Sequence, residues 1–87
     1  MRIVSSAIKF QETGSPYWHI VCRKRHCDCF ETMFNHKIVY DKPSHVQGFL
    51  TDTNQFVDRY EAAEIAYNAN QISEPLSILY SEDVWPE

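Results

Sequence analysis

The sequence predicts an α+β domain: a sheet of about four mostly antiparallel strands covered by two helices, in the order ββαββα. Three observations predict it. Strand-like runs occur in two pairs, each pair interrupted by turn-forming residues. Each pair is followed by a segment whose apolar residues recur at helical spacing. The chain of 87 residues is long enough for one hydrophobic core and too short for two, so residues 1–87 are read as a single domain.

The first strand is read over Arg2 to Phe10, where strict alternation puts Val4, Ser6, Ile8 and Phe10 on one face and Ile3, Ser5, Ala7 and Lys9 on the other. Gly14, Ser15 and Pro16 supply the turn, and Tyr17 to Cys22, rich in aromatic and β-branched residues, makes the second strand. The basic cluster Arg23-Lys24-Arg25 then leads into a helix over 26–36. Its apolar stripe is read as Cys27, Phe30, Met33 and Phe34, with Asp28 and Glu31 placed early, where carboxylates favour the helix dipole. Ile38 to Ser44 is read as a loop because Asp41-Lys42-Pro43-Ser44 breaks the short apolar run before it. Val46 to Thr51 and Gln55 to Val57 flank a polar turn, Asp52-Thr53-Asn54, and form the second hairpin.

Asp58 followed by Glu61 has the spacing of a capping box, and Ala62, Ile65, Ala66 and Ala69 follow at i, i+3, i+4 and i+7. A second helix of about three turns therefore starts at Arg59. Its alanine stripe lets it lie close to the sheet. From Ile72 onward breakers forbid a long helix, and the closing Leu79 to Trp85 carries aromatics that need a surface to pack on.

Apolar residues at 44%, with two glycines and four prolines, describe a packed globular protein. The formal charge of −4 argues against general binding to duplex nucleic acid, which needs many cations against phosphates. A small anionic ligand is still compatible, because one or two arginines at a helix start can hold a phosphate. No apolar run approaches the roughly 20 residues of a membrane span, and the first residues lack the pattern of a signal peptide, so the expected location is the cytoplasm. An odd count of three cysteines fits free thiols better than a disulfide framework. A domain this small is expected to cover its remaining apolar surface with copies of itself.

Four constellations invite a functional reading. Cys22, His26, Cys27, Cys29 and His36 offer metal-ligand chemistry, but helical geometry turns Cys27 and Cys29 to nearly opposite sides, and no standard zinc spacing is present; no metal is expected. A thiol nucleophile at Cys27 or Cys29 lacks a nameable third group, and the simpler reading makes Cys27 core and Cys29 surface. Arg25, His26 and Asp28 open the first helix, and Asp58, Arg59 and Glu61 the second. Such groups suit phosphate and ribose, although caps and salt bridges explain them as well. Lastly, Trp18, Phe49, Phe56, Tyr60 and Trp85 could stack on a base, and Gly48 within a strand marks a close backbone approach or a bulge. Recognition groups without a complete catalytic set point to binding and not to an enzyme.

Taken together, Ile8-Lys9-Phe10, Lys24-Arg25-His26 with Asp28, Gln47 to Thr51, Phe56 to Arg59 with Glu61-Ala62, Asn70-Gln71-Ile72 and Leu79 to Trp85 resemble a group of small phage proteins. This group is similar to the Thoeris anti-defence sponges, which sequester cyclic ADP-ribose signals and, in some members, cyclic oligonucleotides. The resemblance implies a homo-oligomer in the host cytoplasm, needing no cofactor, that binds a cyclic nucleotide without cleaving it at sites assembled between subunits. Onto this chain it carries Arg25, His26, Phe49, Arg59 and Glu61 as ligand-binding residues, with Ser81, Glu82 and Asp83 from the tail. Arginines would pair with the pyrophosphate, an aromatic face would stack on adenine and carboxylates would hold ribose hydroxyls. The sequence departs from the pattern at Cys27-Asp28-Cys29 and at Asn68-Ala69-Asn70, where small or apolar residues and a glycine are expected. Two other classes remain: an enzyme degrading such a signal with His26 or His45 as general base, and an inhibitor that engages a host protein through the acidic tail.

Overall fold

The computed structural model describes residues 1–40 and 42–85, with the Lys42 side chain left out of the description. Four strands, β1 (Ile3–Gln11), β2 (Trp18–Arg23), β3 (Val46–Thr51) and β4 (Phe56–Asp58), alternate with α1 (His26–Asn35) after β2 and α2 (Arg59–Asn68) after β4. The sheet order is β2-β1-β3-β4 and every pairing is antiparallel. The expected ββαββα order is therefore present, with two additions the sequence reading left irregular: a single 3-10 turn at Lys42–Ser44 and a four-residue helix α3 (Ser81–Val84) in the tail. Asp41, part of the expected breaker, lies outside the described residues.

Both helices lie on one face of the sheet. Register puts Arg23, Ser6, Phe49 and Val57 in one row across the four strands, and these side chains, with Ile8 and Phe10, point toward the helices. Strict alternation would send Ile3 to the opposite face, yet Ile3 is 1% exposed and Val4 45%. The reason is a β-bulge: the β1–β3 register slips between Ile3 and Ser5, which reverses the parity of the strand's first residues. Gln71 secures this irregular end, its side-chain amide accepting from Ile3 N and donating to Ile3 O, both at 2.8 Å, as a neighbouring strand would.

Under α2, Ile3, Phe49, Val57 and Leu79 pack with Ala62, Ala63 and Ala66; under α1, Ile8 and Phe10 pack with Cys29 and Met33. The alanine stripe is as expected. The stripe of α1 is as expected at Phe30 and Met33 and rotated at its other two positions: His26 and Cys29 are buried, while Cys27 is exposed and Phe34 is 82% exposed. The assignment of Cys27 to the core and Cys29 to the surface is thus reversed. His26, bonded to the β3 backbone, sets the rotation, and residues three and seven positions later must follow it inward.

α2 begins as expected, with Asp58 Oδ1 accepting from Glu61 N at 2.8 Å. It ends with Asn70 at φ 59°, a left-handed position that asparagine tolerates better than most residues, so the glycine expected there is dispensable.

The opposite face of the sheet carries no helix. Trp18 and Ile20 of β2 are 50% and 45% exposed there, beside Val46 and the partly exposed Leu50 and Phe56. Gly48 sits near its centre, where the Phe56 ring lies across it: a Cβ at Gly48 would meet Phe56 Cζ at 2.6 Å and the Val57 carbonyl oxygen at 2.2 Å.

Candidate functional site: a polar belt between two helix starts

The two helix starts come together because of strand length. β2 runs on to Arg23, paired with Ser6, before the chain turns back into α1; β4 is three residues long and stops at Asp58, opposite Gly48. The first residues of both helices are therefore tied to β3 at adjacent positions. His26 Nε2 donates to the Gly48 carbonyl at 2.7 Å, and Arg59 Nη2 donates to Gln47 Oε1 at 2.5 Å, one residue along the same strand.

The tail closes over this point. Leu79 N donates to Arg59 O at 3.1 Å and Leu79 is fully buried, which brings Tyr80 onto Arg59: the guanidinium carbon lies 5.0 Å from the Tyr80 ring centre, within cation–π range. Tyr80 N donates to Asp83 Oδ2 at 2.9 Å and caps α3. Beyond α3, Trp85 stacks obliquely on Phe49, and its carbonyl accepts from Arg25 Nη2. Arg25 also faces Glu82, Nη1 to Oε1 3.8 Å. Glu82 is two-thirds exposed, so this ion pair is weak.

Six of the eight expected ligand residues lie in or against this belt: Arg25, His26, Phe49, Arg59, Ser81 and Glu82. Four of the eight are buried, turned away from the belt or engaged within the tail. Phe49 is fully buried with His26 edge-on at 5.0 Å, so it supports the belt from below and offers no face to a base. Glu61 points away and borders a depression with Met1, Gln55 and Glu64, because the third residue of α2 lies on its outer side. Asp83 is occupied as the cap of α3 and borders a separate depression with Gln71 and Leu76. Ser81 is also inward, its hydroxyl donating to Glu82 Oε1 at 3.0 Å. The exposed aromatic of the belt is Tyr80, 46% exposed, and Gln47 orients Arg59. Sequence reasoning assigned neither of them a role, since the contact of residue 80 with residue 59 exists only after the tail folds back.

Electrostatically the belt is a cluster of three potential cations and one carboxylate. Burial pushes the His26 imidazole below its usual range; the Gly48 hydrogen bond and Glu82 act the other way, and Arg59 adds to the lowering. His26 is therefore a neutral donor at neutral pH, while Arg25 and Arg59 carry the charge. Arg59 Nε is buried and lacks a hydrogen-bond partner among the described residues.

Of the two thiols weighed as nucleophiles, Cys27 is exposed and Cys29 is inaccessible. Cys29 is buried under α1 with its thiol directed at the Ser6 and Val21 carbonyls, and burial pushes its pKa up to about 11. Among the described residues no group of three or more His, Cys, Asp or Glu converges as metal ligands, and no helix is long and apolar enough to cross a membrane.

No curated protein and no protein of solved structure matches this chain. A family model does, that of the phage T4 y16D protein, over residues 2–85, which takes in both hairpins, both long helices, the tail and every residue of the belt. On that match, the chain belongs to the phage T4 y16D protein family.

Proposed function

We propose that this phage protein binds a small anionic nucleotide at the Arg25–His26–Arg59 belt and holds it without cleaving it, so removing a cyclic nucleotide signal from the host cytoplasm. One observation carries the reading. Arg59 is stacked on an exposed tyrosine, oriented by Gln47 and left with a spare Nε–H, while Glu82 holds a negative charge against the neighbouring Arg25. An anion at this place already has a stand-in. A phosphate replacing the Glu82 carboxylate would keep the pairing with Arg25 and, with the tail moved aside, uncover the buried Nε–H of Arg59 as a further donor, since guanidinium forks suit two-pronged oxygen acceptors. Tyr80 takes the stacking role that Phe49, being buried, does not fill. Because Glu82 and the ligand compete, the tail must shift when the guest arrives.

The test is a thermal-stability panel of cyclic ADP-ribose isomers and cyclic oligonucleotides. A ligand at a hundred times its dissociation constant adds about 2.7 kcal/mol. For a domain of this size that raises the melting temperature by on the order of 10 °C or more. Glu82→Gln should tighten binding by removing the internal competitor, and Arg59→Ala should abolish it. Ligand recovered intact after denaturing the complex separates capture from turnover. Unchanged melting with every member of the panel would remove the proposal.

A further inference from the structure

The outer edge of β2 is left open by the fold, and we infer that two copies of the chain join their β2 edges antiparallel about a two-fold axis at Ile20, making one sheet of eight strands. The inference is independent of the nucleotide reading, because this edge lies outside the belt between the two helix starts.

The backbone says what kind of occupant fits. β2 pairs with β1 on one side, and among the described residues no strand lies on its other side. Alternate N–H and C=O groups of such an edge point outward and bond equally well to a further strand. Chains that stay single blunt an edge by shortness, lysine, proline, a bulge or a covering helix. The other edge, β4, is blunted in this way: it is three residues long and ends in α2. β2 has none of these devices. Its six residues hold no lysine, proline or glycine and pair with β1 in unbroken register. α1 is seated on Ile8 and Phe10 of β1, and five of the six β2 residues remain exposed.

Side chains select a second copy. With Ile20 on the axis, Ile20 meets Ile20, Trp18 meets Cys22 and His19 meets Val21, each pair sharing a face of the sheet as antiparallel register demands. Trp18 and Ile20, 50% and 45% exposed in one copy, thereby gain apolar neighbours, a sulfur beside the indole included. Arg23 is the single charge of the strand, and its side chain donates to Thr32 of its own α1 at 2.7 Å. The two copies of Arg23 lie at opposite ends of the pairing, roughly 20 Å apart along the strands, so no like charges are opposed.

Sedimentation equilibrium from micromolar to millimolar concentration tests this. The expected mass at the upper end is twice the 10.2 kDa of the chain. Ile20→Lys alone and Ile20→Glu alone should each hold the single-chain mass throughout, because like charges then face each other across the axis; mixed in equal amounts, the two variants should recover the double mass. Their far-ultraviolet spectra should match wild type, since residue 20 already reaches solvent in one copy. Tyr67→Lys on α2 should leave the dimer intact. In the wild type, alternate amides of residues 18 to 22 should exchange more slowly as concentration rises, while those bonded to β1 stay slow throughout. A single-chain mass for the wild type at every concentration overturns the inference, as does a dimer in either Ile20 variant alone, a mixture that does not recover it, a dimer broken by Tyr67→Lys, or amide exchange in β2 that ignores concentration.

Discussion

Replacing Gly48 by alanine places one methyl group where the fold has no room. The new Cβ would stand 2.2 Å from the Val57 carbonyl oxygen and 2.6 Å from Phe56 Cζ. Ordinary contacts at about 3.5 Å require displacements of roughly 1 Å. The ring can turn away, but the carbonyl is backbone, so β4 itself must move. β4 is three residues long, and its displacement strains the Val57 packing and the Asp58 cap of α2 together. Overpacking costs about 1–3 kcal/mol and a weakened cap or ladder bond about 1 more, which gives roughly 2–4 kcal/mol. The total stability of 87 residues is on the order of 4–13 kcal/mol. The melting temperature, followed by circular dichroism, should fall by roughly 10–25 °C. Adding Phe56→Ala should recover a minor part, because it relieves the ring and not the carbonyl. A Gly48→Ala protein melting within about 3 °C of wild type would refute the close approach of β3 and β4 described here.

Other outcomes follow from the same geometry. His26 is held below its usual range by burial, so between the ordinary imidazole value near 6.5 and its lower folded value the unfolded chain binds more protons. Its contribution is complete above about pH 6.5 and is lost as pH falls toward the folded value; denaturant titrations should show this slope, and His26→Gln should flatten it. Gln71→Ala removes two hydrogen bonds to Ile3 and should destabilise by about 1–3 kcal/mol in urea unfolding, with hydrogen exchange fastest at the start of β1. With an alkylating reagent near pH 8, Cys27 should react first in the native protein, Cys22 more slowly because burial pushes its pKa up, and Cys29 only on unfolding, as counted by mass spectrometry.

Much of the fold was legible in the sequence because its signals are local. Turn residues at Gly14 to Pro16 and Asp52 to Asn54, the Asp58–Glu61 cap and the alanine period of α2 act over a few positions, and each reappears with small shifts of boundary. What alternation and spacing could not supply is the outcome of contacts between distant residues. The bulge at Val4 reversed the parity of Ile3 and is held by Gln71, 68 positions away. The rotation of α1, which exchanged Cys27 and Cys29, depends on a bond from His26 to Gly48. The same holds for the site. The sequence marked Arg25, His26 and Arg59 because arginines at helix starts carry their chemistry with them. The folded-back tail decided that Tyr80 and not Phe49 faces outward and that Glu82 is the nearby charge, while the outer side of α2 took Glu61. Residue type and local spacing specify elements and reactive groups; burial and convergence are properties of surfaces that meet only after the chain has closed.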